Sequence, residues 1–416
     1  MRHYVVPGRV ELVGKHVDYA GGRSLTCAID RVLRVDAEPR REPALRVDAG
    51  PERGAVVIPL DASAAPTGAP WSVYVAAVAR RFARDFPHFH RGAEVRISGD
   101  LPEGAGLSSS SALIVALGIA LADANDASND ELWNREIPNA LSRAEYFAAI
   151  ETGAPYGSFA GEEGVGVRGG AQDPIAIVCG EAGALSQFSY LPARLERRVP
   201  WPTEYVIAIG VSGVHAIKTG NAQRQYNRSS EAMRALVRRW NSETGHNHQT
   251  VAEALASGSD AADRLYRLAR DESADAEISA EYLVPRLDQF REEVDVIVPG
   301  VGDALRDGDW ATLGRLVDRS HALATTALRN QVPETEFLVR SARESGAIAS
   351  SAFGAGFGGA VWAMVDDASQ AMFMRQWHAR YDAAFPGRAA AAQWLVTMPS
   401  APAREVDAND FPPRGV

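Results

Sequence analysis

The sequence predicts a two-domain protein in which strands and helices are mixed. Its 416 residues exceed the roughly 100–200 residues of a single typical domain. The first 100 residues alternate short apolar strand patterns with turns, whereas residues 229–346 carry mostly helical spacing. A composition of 46% hydrophobic and 23% charged residues indicates a full core. The segment Pro200-Trp201-Pro202 is typical of a boundary, so the predicted domains are residues 1–200 and 201–416.

The predicted elements follow from hydrophobic periodicity. Strands are expected where β-branched or alternating residues cluster: Tyr4–Val13, Leu25–Ile29, Val32–Ala37, Leu45–Val47, Val56–Leu60, Glu94–Ser98, Tyr205–Gly210, Ala360–Val365 and Trp394–Met398. Helical spacing covers residues 71–82, 112–122 and 129–152. The helix over 112–122 is apolar nearly all round, which indicates a central, buried position.

Charge and composition exclude several classes of function. A formal net charge of −10 without a basic block argues against binding to nucleic acid or to an anionic membrane surface. The sequence contains no apolar run near the roughly 18 residues that span a bilayer, and its first eight residues do not resemble a signal peptide. Cys27 and Cys179 lie in apolar runs and are expected to be reduced core thiols. We therefore expect a cytoplasmic protein that acts on small molecules, and we also expect it to be a monomer.

A serine-rich loop is the strongest functional signal in the sequence. Residues 101–112 read Leu-Pro-Glu-Gly-Ala-Gly-Leu-Ser-Ser-Ser-Ser-Ala, between a predicted strand and a predicted helix. Small residues let backbone N–H groups approach phosphate oxygens, and a helix N-terminus attracts anions. The Gly-Lys-Ser/Thr of a Walker A loop is missing from the segment. The alternative interpretation is an ordinary N-capped helix after a flexible turn.

A polar turn near the N-terminus is the second signal. Residues 7–22 form a strand that ends at Gly14 and then presents Lys15, His16, Asp18 and Tyr19. Hydrogen-bonding side chains of both signs suit a site for sugar hydroxyls. The alternative is a charged hairpin turn.

Two further segments carry weaker signals. Asp173 follows Gly169-Gly170-Ala171 at the start of an apolar segment, where a partly buried carboxylate could accept a proton from an attacking hydroxyl. The alternative is an aspartate that caps the following segment. The glycine-rich turn 354–359 precedes a strand, and such turns are common in proteins of all functions.

Together these four segments resemble the GHMP kinases, and residues 7–22 resemble the galactokinase signature. The resemblance covers nearly the whole chain, with lesser matches at residues 71–74, 144–145, 212–215, 226–228, 320–321 and 332–336. It implies an α+β, two-domain GHMP kinase fold, with a ribosomal-protein-S5-like ATP-binding domain, a ferredoxin-like C-terminal domain and the active site in the cleft between them. It also implies an ATP- and Mg²⁺-dependent kinase that phosphorylates the anomeric hydroxyl of galactose or a related sugar.

The resemblance assigns roles to individual residues. Asp173 would be the catalytic base or would orient the attacking hydroxyl, and Arg9 would neutralise charge and keep Asp173 ionised. Ser110 and Glu145 would bind Mg²⁺. The expected sugar-binding residues are Lys15, His16, Asp18 and Tyr226. The expected ATP-binding residues are Gly104, Gly106, Leu107, Ser108, Ser109, Ser110 and Ser111, with Gly354, Gly356, Gly358 and Gly359 as the glycine motif.

The sequence departs from the family pattern at Lys15, where galactokinases carry a glutamate that contacts the sugar. Only Lys15 and Lys218 are lysine among the 43 basic residues, so a compact ammonium is favoured here over arginine. Its partner could be a protein carboxylate, with Glu11 and Asp18 nearby in sequence. It could instead be a substrate carboxylate, which would make the protein a galacturonate-type 1-kinase, or a hydroxyl of a neutral sugar.

Two smaller departures and one rival function remain. Ser111 replaces a small alanine, and Gly-Ala-Gln-Asp replaces the usual Gly-x-Met-Asp-Gln. A catalytically silent sensor of sugar and ATP is an alternative of another class. Retention of Arg9, Ser110, Glu145 and Asp173 argues against it.

Overall fold

The first of two β-sheets contains eight strands and includes both early and late parts of the chain. The computed structural model describes residues 1–214, 220–271, 278–408 and 410–411, with side chains described from residue 225 onwards in the second range. The strands of the first sheet are β1 (Arg2–Val13), β2 (Arg23–Arg40), β3 (Ala44–Asp48), β4 (Ala55–Pro59), β5 (Gly92–Gly99), β6 (Ala184–Ser189), β7 (Arg194–Pro200) and β12 (Arg404–Val406). Their order is β12-β1-β2-β5-β3-β4, with β6 bridging β2 and β7. All pairs are antiparallel except β3 with β5.

Five α-helices lie in sequence between β4 and β6 of this sheet. They are α1 (Ser72–Asp85), α2 (Ser109–Ala124), α3 (Glu131–Glu136), α4 (Ala140–Thr152) and α5 (Gln172–Cys179). Helix α2 is buried along nearly its whole length, as its apolar composition predicts. At Gly118 a Cβ atom would lie 2.4 Å from Cε1 of Phe147, so only glycine permits this approach of α2 to α4. Helices α2 and α4 therefore pack closely against each other at Gly118.

The second sheet has four antiparallel strands in the order β11-β8-β10-β9. They are β8 (Tyr205–Val211), β9 (Ala349–Ala352), β10 (Ala360–Asp366) and β11 (Gln393–Thr397). Helices α12 (Pro333–Glu344) and α13 (Gln370–Ala384) pack on one face around Trp377. Side chains such as Ile209 and Trp362 extend from the sheet into the large core shared with the first sheet.

The remaining helices lie in sequence between β8 and β9 of the second sheet. They are α6 (Gly220–Thr244), α7 (Val251–Ala256), α8 (Ala261–Arg270), α9 (Ala280–Glu292), α10 (Val298–Asp307) and α11 (Trp310–Leu323). Helices α6 to α9 form their own core, which also buries Val17 and Tyr19 from the turn after β1. A π-helical turn, Glu293–Ile297, joins α9 to α10, and a second, Ala324–Leu328, follows α11. Such turns re-aim side chains relative to a regular helix.

The predicted division at residue 200 needs one correction. Residues 404–406 return to the first sheet, where β12 pairs with β1 through His3 and Val406. The C-terminal segment therefore contributes to both sheets, and the rest of the division stays a prediction. In the ranges that the structure describes, none of the helices is both long and apolar enough to cross a membrane.

Candidate active site

An ion pair between Arg9 and Asp173 lies at the centre of the site. Arg9 is on β1, and Asp173 is in the first turn of α5, where the helix dipole favours a carboxylate. Arg9 Nε donates to Asp173 Oδ1 at 2.6 Å and Nη2 donates to Oδ2 at 2.9 Å, which is a bidentate pair. Burial is the largest single influence and lowers the pKa of the Arg9 guanidinium, but the charges of Asp173 and Glu11, together with the hydrogen bonds to Asp173, raise this pKa overall. The sequence-predicted pairing of these residues is thus present in the structure.

Hydrogen bonds connect the serine loop to this ion pair. The carbonyl of Leu107 accepts a hydrogen bond from the Arg9 N–H at 3.2 Å, and the carbonyl of Gly106 accepts one from Arg9 Nη1 at 2.5 Å. Ser108 adopts a left-handed conformation (φ 62°), and its hydroxyl donates to Asp173. The Leu107 side chain is buried in the core. The loop therefore presents its backbone and serine hydroxyls at the start of α2, whereas Leu107 acts as its anchor.

The predicted partner of Ser110 is wrong. The Glu145 carboxylate accepts a hydrogen bond from the Ala193 backbone N–H at 3.2 Å, away from the serine loop. Glu151 takes the expected place, because its two oxygens accept from Ser110 Oγ at 3.3 Å and Ser111 Oγ at 2.7 Å. Six positions correspond to about 240° on a helix of 3.6 residues per turn, so the two glutamates point in different directions. The angular positions of residues 145 and 151 around α4 would have distinguished the two glutamates.

Two cavities meet at the ion pair. The inner cavity is lined by Arg9, Glu11, His16, Asp18, Glu151, Thr152, Val167, Gly169, Gly170, Gln172, Asp173, Tyr226, Gly354 and Ala355. The outer cavity is lined by Arg9, Pro70, Trp71, Val73, Tyr74, Glu103, Gly104, Gly106, Ser108, Ser109, Ser110, Leu113, Asp173, Phe353, Ala355 and Gly356. Arg9 and Asp173 belong to both, so a group bound in one cavity can react with a group bound in the other.

His16 and Tyr226, two of the predicted sugar-binding residues, stand together in the inner cavity. Their rings are 5.2 Å apart. His16 Nδ1 is 3.1 Å from the Tyr19 hydroxyl, and Nε2 is 3.2 Å from both the Ala355 carbonyl oxygen and Asn330 Nδ2. Sequence reasoning missed Asn330, which reaches the site from the far end of the chain.

Asp18 lies against the glycine pair that precedes α5. Its Oδ2 accepts the Gln172 N–H at 3.3 Å, and burial raises the pKa of this carboxyl to about 6. A Cβ on Gly170 would lie 2.4 Å from Asp18 Oδ2, and one on Gly169 would lie 2.9 Å from the Tyr226 hydroxyl. The two glycines therefore leave room for the polar groups that converge on the inner cavity.

Lys15 lines neither cavity, so the structure does not support its predicted contact with substrate. Its side chain is buried, and Nζ donates to Ser320 Oγ at 2.7 Å. The Ser320 hydroxyl donates to Glu293, and Glu293 also accepts the Gly14 N–H at 2.9 Å. Burial lowers the pKa of Lys15, while Glu293 and then Glu11 oppose that shift. The protein-carboxylate alternative is the one the geometry supports, with Glu293 as the unpredicted main partner.

The first half of the glycine motif faces the serine loop. A Cβ on Gly354 (φ 77°) would lie 3.2 Å from the Gly106 carbonyl oxygen. A Cβ on Gly356 (φ 82°) would lie 2.4 Å from the Asn330 carbonyl oxygen. These two glycines let the turn close against both the loop and Asn330.

The second half of the motif supports the turn and lines neither cavity. Gly359 N–H donates to the Val214 carbonyl at 2.9 Å, and its own carbonyl accepts from Ser212 Oγ at 2.8 Å. A Cβ on Gly358 would clash with the Val214 carbonyl at 2.5 Å. His215, the last residue of the predicted 212–215 match, lies outside the described residues.

Comparisons with known proteins identify the class. The family model for the GHMP kinases N-terminal domain matches residues 73–181, and the model for their C-terminal domain matches residues 303–383. The galactokinase galactose-binding signature matches residues 2–39. Together with the two-sheet fold and the Arg9–Asp173 pair, these matches define a GHMP kinase.

Relatives that align over most of the chain identify the family within the GHMP kinases. The galactokinase of Chloroflexus aurantiacus is 31% identical over 369 residues, which are 86% of this chain and 82% of the relative. That of Thermococcus kodakarensis is 27% identical over 383 residues, 91% of this chain and 94% of the relative. The chain belongs to the galactokinase family of the GHMP kinases, as the sequence motifs predicted.

Solved structures confirm the predicted fold. The crystal structure of Lactococcus lactis galactokinase complexed with galactose covers 97% of this chain and 95% of its own, with a TM-score of 0.79 at 22% identity. The Methanococcus jannaschii mevalonate kinase covers 96% and 98%, with a TM-score of 0.59 at 14% identity. The α+β, two-domain GHMP kinase architecture is therefore that of this chain.

Proposed function

We propose that the protein is an ATP-dependent galactose 1-kinase, with the sugar in the inner cavity and the nucleotide in the outer cavity. The observation that carries the proposal is the Arg9–Asp173 pair, which belongs to the walls of both cavities. Phosphoryl transfer requires the attacking hydroxyl and the phosphoryl group to meet in line, with charge neutralised around them. A carboxylate and a guanidinium at the junction of two cavities provide that arrangement.

Asp173 and Arg9 have different roles in phosphoryl transfer. Asp173 accepts the hydrogen bond, and finally the proton, of the anomeric hydroxyl as it attacks. Arg9 holds this carboxylate through two hydrogen bonds, and its charge balances the negative charge that develops nearby. The Ser108 hydroxyl fixes the second oxygen of the carboxylate. His16, Asp18 and Tyr226 orient the sugar around the pair.

The outer cavity suits a nucleotide. Its apolar wall includes Trp71, Tyr74, Leu113 and Phe353, which provide flat surface for a base. The serine loop and the start of α2 provide backbone N–H groups for phosphate oxygens. The triphosphate would then end beside Asp173.

A serine at the start of α2 and a glutamate at the end of α4 fit Mg²⁺. Ser110 Oγ and the Glu151 carboxylate are hard oxygen donors 3.3 Å apart. Among the described residues no cluster of three or more His, Cys, Asp or Glu could hold a metal. Mg²⁺ typically binds through one or two protein oxygens and substrate phosphates, which agrees with this pair. When bound, Mg²⁺ neutralises charge on the phosphate oxygens.

An ADP-release assay with galactose and MgATP tests the proposal. Asp173→Asn keeps the shape of the side chain and should lower kcat by on the order of 10²–10⁴, the range for loss of a general base. Nucleotide binding should survive, which separates this loss from misfolding. Near-full turnover by Asp173→Asn would refute the role of Asp173, and absence of galactose-dependent ADP release by the wild type would favour the silent sensor. A cytoplasmic monomer remains our prediction, which cell fractionation and size-exclusion chromatography check.

A further inference from the structure

The inner cavity carries an excess of negative charge. Among the described residues that line it, the acidic side chains are Glu11, Asp18, Glu151 and Asp173, and the only guanidinium is that of Arg9. Arg9 is already engaged by Asp173 and by a backbone carbonyl. An anionic group that entered this cavity would meet like charges.

The ammonium of Lys15 does not offset these acidic groups at the surface of the cavity. Lys15 lies behind the wall and donates to Ser320, next to Glu293. Its charge attracts Glu11 from behind, but burial outweighs that attraction and raises the pKa of Glu11 to about 7. A substrate carboxylate therefore has no free cation to meet among the described residues that line the cavity.

Glu11 and Gln172 form a buried pair in the cavity wall, and each of the two side chains has one oxygen without a hydrogen-bond partner among the described residues. Glu11 lies two residues after Arg9 on β1, and Gln172 opens α5. Each residue is only 3% exposed, and Gln172 Nε2 donates to Glu11 Oε2. Glu11 Oε1 and Gln172 Oε1 are both buried without a hydrogen-bond partner among the described residues.

The two unpaired atoms have the same chemistry, since both are acceptors. A buried acceptor without a donor is costly, so it is normally satisfied by protein, water or ligand. The catalytic pair does not need these residues, because Arg9 and Asp173 contact each other directly. A donor supplied by the acceptor sugar would satisfy them.

We propose that Glu11, held in place by Gln172, is a specificity-determining residue that accepts a hydrogen bond from the sugar. The inner cavity then takes a neutral hexose and its ammonium-bearing amino analogue, and it rejects a hexuronate. This inference rests on the proposed function and deepens it. It also reverses the galacturonate alternative, because the residue that contacts the acceptor is the carboxyl group of Glu11 and not the ammonium of Lys15.

Three acceptors that differ in charge test the inference: galactose, galactosamine and galacturonate, compared by kcat/KM with MgATP. The wild type should use galactose and galactosamine within about tenfold of each other and galacturonate at least about a hundredfold less well. Glu11→Gln keeps the side-chain shape and removes its charge. It should lower the galactosamine-to-galactose ratio by about tenfold or more and raise the relative rate with galacturonate.

The matched control is Glu196→Gln. Glu196 accepts a hydrogen bond from Gln187 at 2.6 Å and also pairs with Arg23 at 3.3 Å, and it lines neither cavity. Its acceptor ratios should equal those of the wild type. Circular dichroism checks that each variant is folded, and if Glu11→Gln is not, the wild-type ratios alone decide.

The possible failures are distinguishable. Acceptor ratios of a folded Glu11→Gln that stay within about twofold of the wild type, or a wild type that prefers galacturonate, would overturn the inference and leave the kinase assignment intact. Absence of ADP release with every acceptor would overturn the proposed function and the inference with it.

Discussion

Replacing Lys15 by methionine should destabilise the protein without changing which sugar it uses. The substitution removes a buried ammonium whose Nζ donates to Ser320 Oγ at 2.7 Å, and it leaves the carboxylate of Glu293 buried without a compensating charge. Removal of one partner of a buried ion pair costs about 3–5 kcal/mol. Because the Ser320 hydroxyl lies between the two charges, we expect a loss in the free energy of unfolding near the lower end, about 3 kcal/mol.

Urea unfolding and an assay of kcat/KM with different sugar acceptors together test whether Lys15 stabilises the fold or selects the sugar. Glu293→Gln in the Lys15→Met background removes the uncompensated charge and should recover part of the loss, which a double-mutant cycle measures as coupling. Arg306→Met is the matched control, since Arg306 pairs with Asp303 at the surface and its loss should leave the unfolding midpoint nearly unchanged. The reasoning is refuted if Lys15→Met shifts the galactose-to-galacturonate ratio by about tenfold or more while the midpoint stays at its wild-type value.

Two further predictions concern carboxylates. Glu151→Gln should raise the Mg²⁺ concentration needed for half-maximal activity by about tenfold or more, because the carboxylate oxygens of Glu151 accept hydrogen bonds from Ser110 and Ser111. Glu145→Gln, on the same helix, should leave this concentration unchanged, and equal Mg²⁺ titrations of the two variants would contradict the assignment. Burial raises the pKa of Glu11 from an ordinary 4.5 to about 7, so the folded protein binds more protons than the unfolded chain between these pH values, and the contribution of Glu11 to stability falls as the pH rises through them. The unfolding midpoint of the wild type should therefore drop relative to that of Glu11→Gln between pH 5 and pH 8, and a constant difference would show that Glu11 is not buried as described.

Local patterns predicted most of the fold. The strand expected at Tyr4–Val13 is found at Arg2–Val13, because the segment is rich in valine, which favours strands. The two strands expected at 25–29 and 32–37 form one strand, Arg23–Arg40. The charged Asp30 and Arg31 interrupted the apolar pattern, although the backbone continues through them. Helix α5 has only eight residues, which is too short for a clear helical period.

The site was predictable only as far as the family motifs reached. Arg9 and Asp173 are far apart in sequence, and their pairing was expected from the resemblance and not from any local pattern. Glu151 and Asn330 belong to no motif that sequence reasoning used, and their roles depend on how α4 packs on α2 and on where the chain passes after α11. Lys15 was misplaced because a reversed charge in a sugar-binding segment does not reveal which side of the strand end the ammonium faces.

The position of β12 has a consequence for the order in which the protein is made. Domains usually fold as units from the N-terminus while the ribosome is still adding residues. Here the edge of the first sheet next to β1 is completed by residues 404–406, which are translated after every strand and helix of the second domain. The His3–Val5 end of β1 therefore lacks this partner until residues 404–406 have been synthesised. An unpaired strand edge is a template for pairing with other chains, so the nascent protein is exposed to aggregation at this edge until β12 is added.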